Sequence, residues 1–166
     1  MTQDFPAGLD RLWAVFGQPD YPRAKYAALG AAAVRVTRFE ATAQAIEVEL
    51  ERDVPMPASA LPDWARSLIG AEQTLRHRTA WRRTGPGQAT AELDISPVGL
   101  PVHAQAVGSL VQTQAGTTQM RLTWRVRSAV PVLGGRVERL FAGQIRDALA
   151  ADHAFTLGYL RQTSPT

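Results

Sequence analysis

The sequence predicts an α+β fold in which an antiparallel sheet grips one long C-terminal helix. Between Ala32 and Arg127 most apolar residues recur with a period of two, in runs separated by turn residues at hairpin spacing. A last strand, Leu122-Thr123-Trp124-Arg125-Val126, runs into Pro131-Val132-Leu133-Gly134-Gly135 and then an uninterrupted amphipathic stretch from Arg136 to Arg161. A sheet and a helix with one apolar face each bury those faces against each other, and the space between them is the natural place for an apolar ligand.

The elements follow in order. A short strand is expected around Gln3 to Phe5. From Gly8 to Phe16, Leu9, Leu12, Trp13 and Phe16 fall at i, i+3, i+4 and i+7 and form one stripe of a helix that ends at Gly17. Pro19-Asp20 restarts the chain into a second short helix, Tyr21 to Leu29, with Gly30 as its stop. From Ala32, Val34 and Val36 alternate with Arg35 and Thr37. After a turn near Thr42-Ala43-Gln44, Ile46, Val48 and Leu50 alternate with Glu47, Glu49 and Glu51. Asp53 to Ala60, with Pro55 and Pro57, reads as a loop. Leu61 to Gly70 reads as a short helix with proline in its first turn and glycine past its end. Four strands follow, about Thr74 to Arg83, Gln88 to Ile95, Val102 to Thr113 and Thr117 to Arg127, joined by Gly85-Pro86-Gly87, Pro97-Val98-Gly99-Leu100-Pro101 and Ala115-Gly116.

The 166 residues suit one domain, 1–166, with one well-buried core. Hydrophobic residues make up 45% and no segment approaches the roughly 18 to 20 continuous apolar residues of a membrane span, so a soluble protein without a membrane span is expected. Met1-Thr2-Gln3-Asp4-Phe5-Pro6 lacks the basic flank and apolar run of a secretory signal, which predicts a cytoplasmic location. The absence of cysteine excludes disulfides, thiolate metal sites and cysteine nucleophiles. A net charge of +3 raises the question of an acidic partner. The excess is small, however, and Lys25 is the lone lysine among 18 basic residues. Such uniform arginine usage fits genome composition better than phosphate binding, and no nucleic-acid partner is expected.

Parity assigns the faces of the strands. Leu75, His77, Thr79 and Trp81 oppose Arg76, Arg78 and Arg82; Leu93 and Ile95 oppose Glu92 and Asp94; Met120, Leu122, Trp124 and Val126 oppose Arg121, Arg125 and Arg127. The inner face is thus aromatic and aliphatic. Val137, Leu140, Phe141, Ile145, Ala148, Phe155 and Tyr159 supply the matching helix stripe. The outward arginine ladder is expected to pair across strands with Glu47, Glu49 and Glu51 on one side and Glu92 and Asp94 on the other, rather than to bind phosphate. Val102, Ala104, Ala106, Gly108 and Leu110 share a face of small residues, which implies either a close backbone approach by the helix or a void.

Other polar groups carry less chemistry. His103 and His153 show no HxH or HExxH spacing with His77, so no metal site is expected. Gln144 and Asp152 lie on or beside the last helix's stripe, and the solvated edge is the favoured reading. Gly134-Gly135 lacks a phosphate-loop fingerprint and is expected to let the chain bend into the helix. Asp94 and Ser96 with a distant histidine make no triad, since no GxSxG elbow exists.

The order of strand, two short helices, antiparallel meander and long C-terminal helix resembles the START-like, or SRPBCC, helix-grip superfamily. Asp20-Tyr21 through Lys25-Tyr26 to Gly30, Leu61-Pro62 to Gly70, Trp81, and Val130-Pro131-Val132-Leu133-Gly134-Gly135-Arg136-Val137-Glu138 look more narrowly like a bacterial subfamily without an established activity. The resemblance implies a seven-stranded sheet and a deep cavity between sheet and helix. Superfamily members bind sterols, lipids, polyketides or plant hormones, and some cyclise or hydroxylate aromatic substrates. The His/Asp arrangement of the iron-dependent oxygenase branch is absent here, and no cofactor is expected.

These readings converge on a monomer or homodimer that holds a hydrophobic small molecule or lipid without catalysis. Trp81, Leu93, Met120, Leu122, Trp124, Phe141 and Ile145 are the expected lining, and His77 the expected polar anchor. The segment from Asp53 to Gly70, with Trp64, is the expected gate. Two alternatives stay open: a polyketide cyclase or dehydrase with His77 as acid or base, and a protein-interaction module, which a groove packed solid would favour.

Overall fold

The computed structural model describes residues 1–114 and 116–163. Ala115, half of the turn expected at Ala115-Gly116, lies outside that range. The elements are β1 (Thr2–Phe5), α1 (Leu9–Phe16), α2 (Tyr21–Ala28), β2 (Ala33–Ala41), β3 (Ala45–Pro55), a 3-10 turn (Ala58–Ala60), α3 (Asp63–Ile69), β4 (Glu72–Gly85), β5 (Gln88–Pro97), β6 (Val102–Gln114), β7 (Thr117–Ser128) and α4 (Gly134–Gln162). The strands form one seven-stranded antiparallel sheet in the order β1-β7-β6-β5-β4-β3-β2. The short first strand is real: Gln3 and Phe5 are buried, and the Gln3 amide donates to the Leu149 carbonyl of α4 at 2.8 Å.

One sequence expectation fails in an informative way. The loop expected from Asp53 is sheet as far as Pro55, with Asp53 opposite Thr74 and Val54 opposite Gln73. Asp53 accepts bonds from Arg35 at 2.6 and 2.7 Å and from Thr74 at 2.8 Å, which hold its carboxyl at about 2. Pro55 stands at the strand end, where a missing donor is tolerated. Arg52, just before the extension, lies on the inner face, in phase with Ile46, Val48 and Leu50.

The junction before α4 also differs from expectation. Gly134 and Gly135 already belong to the helix, and neither has positive φ. The bend is made at fully exposed Val132, at φ +63° in a γ-turn closed by Leu133 N–H to Pro131 C=O at 2.7 Å. Gly134 matters for proximity instead: a Cβ there would lie 3.1 Å from the Ser128 carbonyl oxygen. In β2 a bulge between Val36 and Arg38 shifts the parity, so that Phe39 pairs with Val48 while Arg38 pairs with Glu49.

The core falls into two clusters. The larger joins α1, Tyr21 and the inner faces of β3 to β7 to the C-terminal part of α4, around Leu12, Ile46 and Leu110. The smaller joins Met56, Leu61, Ala65 and Ile69 to Val102 and to Val137 and Phe141 of α4. No helix among the described residues is long and apolar enough to cross a membrane.

Candidate functional site

Between the sheet and α4 lies a cavity whose lining comes from both clusters. Its volume is about 160 Å³, the order of size at which a buried apolar cavity admits a small aromatic molecule. Leu93, Ile95, Trp124 and Ile145 point inward yet are only half-buried, because protein atoms do not fill the space before them. The Trp124 indole N–H is buried without a hydrogen-bond acceptor among the described residues. A more open groove between β7 and α4 shares Leu122, Trp124, Ile145 and Leu149 with the cavity.

A polar cluster interrupts this lining. Arg52, buried on β3, donates its Nε–H to Nε2 of buried His77 at 2.9 Å. His77 Nδ1 lies 3.3 Å from the Tyr26 hydroxyl, and the Arg52 guanidinium sits 4.6 Å from the centre of the Tyr26 ring. Lys25 Nζ meets Asp152 Oδ2 at 3.1 Å and lies 4.7 Å from the same ring. Burial opposes the Lys25 charge, but the causes favouring it, headed by the Asp152 carboxylate, prevail and raise its pKa. Thr156 spends its hydroxyl proton on the Asp152 carbonyl at 2.8 Å, so Tyr21, 2.8 Å away, donates to Thr156. Burial pushes the Tyr21 phenol up to about 12.

Because an arginine donates and cannot accept, His77 Nε2 is the acceptor, so the neutral ring carries its proton on Nδ1 and donates it to Tyr26. Burial first, then the Arg52 and Lys25 charges, push its pKa well below 6.5. The unfolded chain therefore takes up this proton near pH 6.5 while the folded one does not. Stability is full above that pH and is lost as pH falls below it, by up to about 1.4 kcal/mol per pH unit. His77→Gln keeps an acceptor for Arg52 and removes the proton site. Its urea midpoint is expected to fall less between about pH 7 and pH 5 than the wild-type midpoint, and equal slopes would contradict a buried neutral imidazole.

All eight residues expected to form the site, His77, Trp81, Leu93, Met120, Leu122, Trp124, Phe141 and Ile145, border this one cavity. Gln144 and Asp152, read as a solvated edge, border it too. Trp64 does not belong to the lining and packs in the smaller cluster. On the small-residue face of β6, Ala104 borders the cavity, whereas the close neighbour of Gly108 is β7 and not the helix. The arginine ladder pairs toward β3, with Arg76–Glu51 at 2.9 Å and Arg82–Glu47 at 2.6 Å, while Asp94 accepts from Gln105. No group of three or more His, Asp or Glu side chains among the described residues could hold a metal ion.

Sequence reasoning missed Arg52, Tyr26 and Lys25 as parts of the site. The signals were present: Arg52 continues the inward parity of Ile46, Val48 and Leu50, and Lys25 is the single lysine of an arginine-rich chain.

Comparison with known proteins agrees with this architecture. Residues 1–160 match the family described as "Protein of unknown function (DUF2505)". The chain belongs to that family. It is 22% identical to the uncharacterized protein Rv0481c of Mycobacterium tuberculosis, over 94% of this chain and 92% of that one, with the same figures for Mb0491c of Mycobacterium bovis. A START superfamily protein from Mycobacterium smegmatis superposes with a TM-score of 0.56 at 16% identity, covering 99% of this chain and 97% of that one. A conserved protein from Geobacillus kaustophilus does so at 0.53 and 11% identity, covering 98% and 93%. The fold of this DUF2505 member is therefore START-like.

Proposed function

We propose that this protein binds or carries a hydrophobic small molecule or lipid in the cavity between sheet and α4. One observation supports the reading above the rest: inward-facing Leu93, Ile95, Trp124 and Ile145 remain half-buried around unfilled space. A protein that stops at structure fills such space, because unfilled volume forfeits dispersion contacts on every side. The unsatisfied Trp124 N–H fits a bound molecule that presents an acceptor. The same unfilled volume speaks against a groove packed for a protein client. Catalysis by His77 finds no support in the geometry, since both ring nitrogens are engaged by Arg52 and Tyr26.

The test uses a neutral apolar fluorophore, N-phenyl-1-naphthylamine, titrated into the purified protein. Saturable binding is expected, with Trp124→Ala weakening it about fivefold or more as one wall is removed. Failure of the wild-type protein to bind, or an unchanged Kd in a folded Trp124→Ala variant, would count against the cavity as the ligand site.

A further inference from the structure

The charged groups at the cavity do not cancel. Lys25 and Asp152 neutralise each other at 3.1 Å, and His77 is neutral, held between Arg52 and Tyr26. Arg52 remains. Its side chain is 8% exposed, it borders the cavity, and no carboxylate forms an ion pair with it among the described residues. Glu51 and Asp53, its chain neighbours, point to the outer face and pair there with Arg76 and Arg35. Asp152 attracts Arg52 only from a distance while bonded to Lys25. A buried guanidinium without a counter-ion is costly unless something supplies one.

We propose that the cavity takes a monoanion, an apolar body ending in a carboxylate, and that Arg52 is the residue that holds the carboxylate. The inference rests on the small-molecule reading of the cavity. A guanidinium fork matches a carboxylate in two parallel hydrogen bonds. Among the described residues only the Nε–H of Arg52 is spent, on the His77 ring, and that bond fixes the plane of the fork while the Tyr26 ring supports its face. His77 is thus a positioning residue, and the anchoring role expected of it passes to Arg52. One surplus positive charge suits one negative charge. A phosphate dianion would leave a second charge uncompensated among Leu50, Leu75 and Ile95.

Isosteric pairs of probes test this. Naphthalene-2-carboxylate is compared with naphthalene-2-carboxamide, and octanoate with octanamide, by calorimetry on the full-length protein at neutral pH. Each acid is expected to bind about tenfold or more tighter than its amide, as a buried charge-assisted hydrogen bond provides. Arg52→Met, which keeps the apolar stem, is expected to abolish that preference, with the acid losing far more affinity than the amide. Arg52→Lys, which keeps the charge without the fork, is expected to reduce it severalfold and serves if the methionine variant does not fold. Equal affinities for acid and amide in the wild-type protein would overturn the anion proposal and leave the small-molecule reading standing. A preference undiminished in Arg52→Met would remove Arg52 from the role. Binding of none of the four probes would overturn both readings.

Discussion

Replacing Asp152 with alanine is expected to destabilise the protein by about 3 kcal/mol, the lower part of the range for breaking a buried ion pair. The lower part applies because the two side chains keep 15% and 28% exposure. Lys25 is the group that suffers. It stands in the last turn of α2, its ammonium faces the rings of Tyr21 and Tyr26 at 5.5 and 4.7 Å, and Asp152 is its ion-pair partner. Two tyrosine faces return about 1 kcal/mol of cation–π attraction at most sites, which falls short of the lost carboxylate. The reverse change, Lys25→Met, is expected to cost less, because Asp152 is the more exposed partner. In the double variant Lys25→Met/Asp152→Ala no charge is stranded, so much of the lost stability is expected to return. Urea unfolding of the four proteins gives the coupling energy directly. Equal and additive losses would mean that the pair is solvated in effect and does not close the cavity's α2 end.

Gly108→Val is expected to cost about 3 kcal/mol or more, beyond ordinary overpacking. A Cβ at position 108 would lie 2.3 Å from the Arg121 backbone oxygen and 2.5 Å from Leu122 Cδ2. The leucine could turn away, but the carbonyl belongs to β7, which is paired on both sides, with Thr2 opposite Arg121 in β1 and Ser109 opposite it in β6. The chain can relieve the clash only by parting β6 from β7 at Gly108 and Leu122, and Leu122 is also a wall of the cavity. Thermal unfolding is the direct check. A Gly108→Val protein that melts near the wild-type temperature would show that the two strands can separate there without penalty.

These effects divide between what the chain shows on its own and what it does not. Alternation in β3 to β7 is enough to place Trp81, Leu93, Met120, Leu122 and Trp124 on one face, because a pleated strand must send every second residue to the same side. The period of the last helix likewise places Phe141 and Ile145 against them. Such regularities are local, and a single sequence displays them. Strand ends are less local. Pro55 and Asp53 look like loop residues until Arg35 and Thr74, from two other strands, arrive to bond Asp53. Arg52, two residues past Leu50, kept the inward parity of β3, but parity does not say that a charged side chain is buried.

The amino-acid sequence by itself determined the fold class, the order of the elements and the apolar face of the cavity, since hydrophobic period and turn chemistry are properties of neighbouring residues. Only the tertiary structure decided that the space stays unfilled, that Lys25 from α2 meets Asp152 from α4, and that Arg52 and His77 join around Tyr26. Those pairings span separations of 127 and 25 residues. No local pattern encodes them, because the partner of a buried charge is chosen by which surfaces the packing brings together.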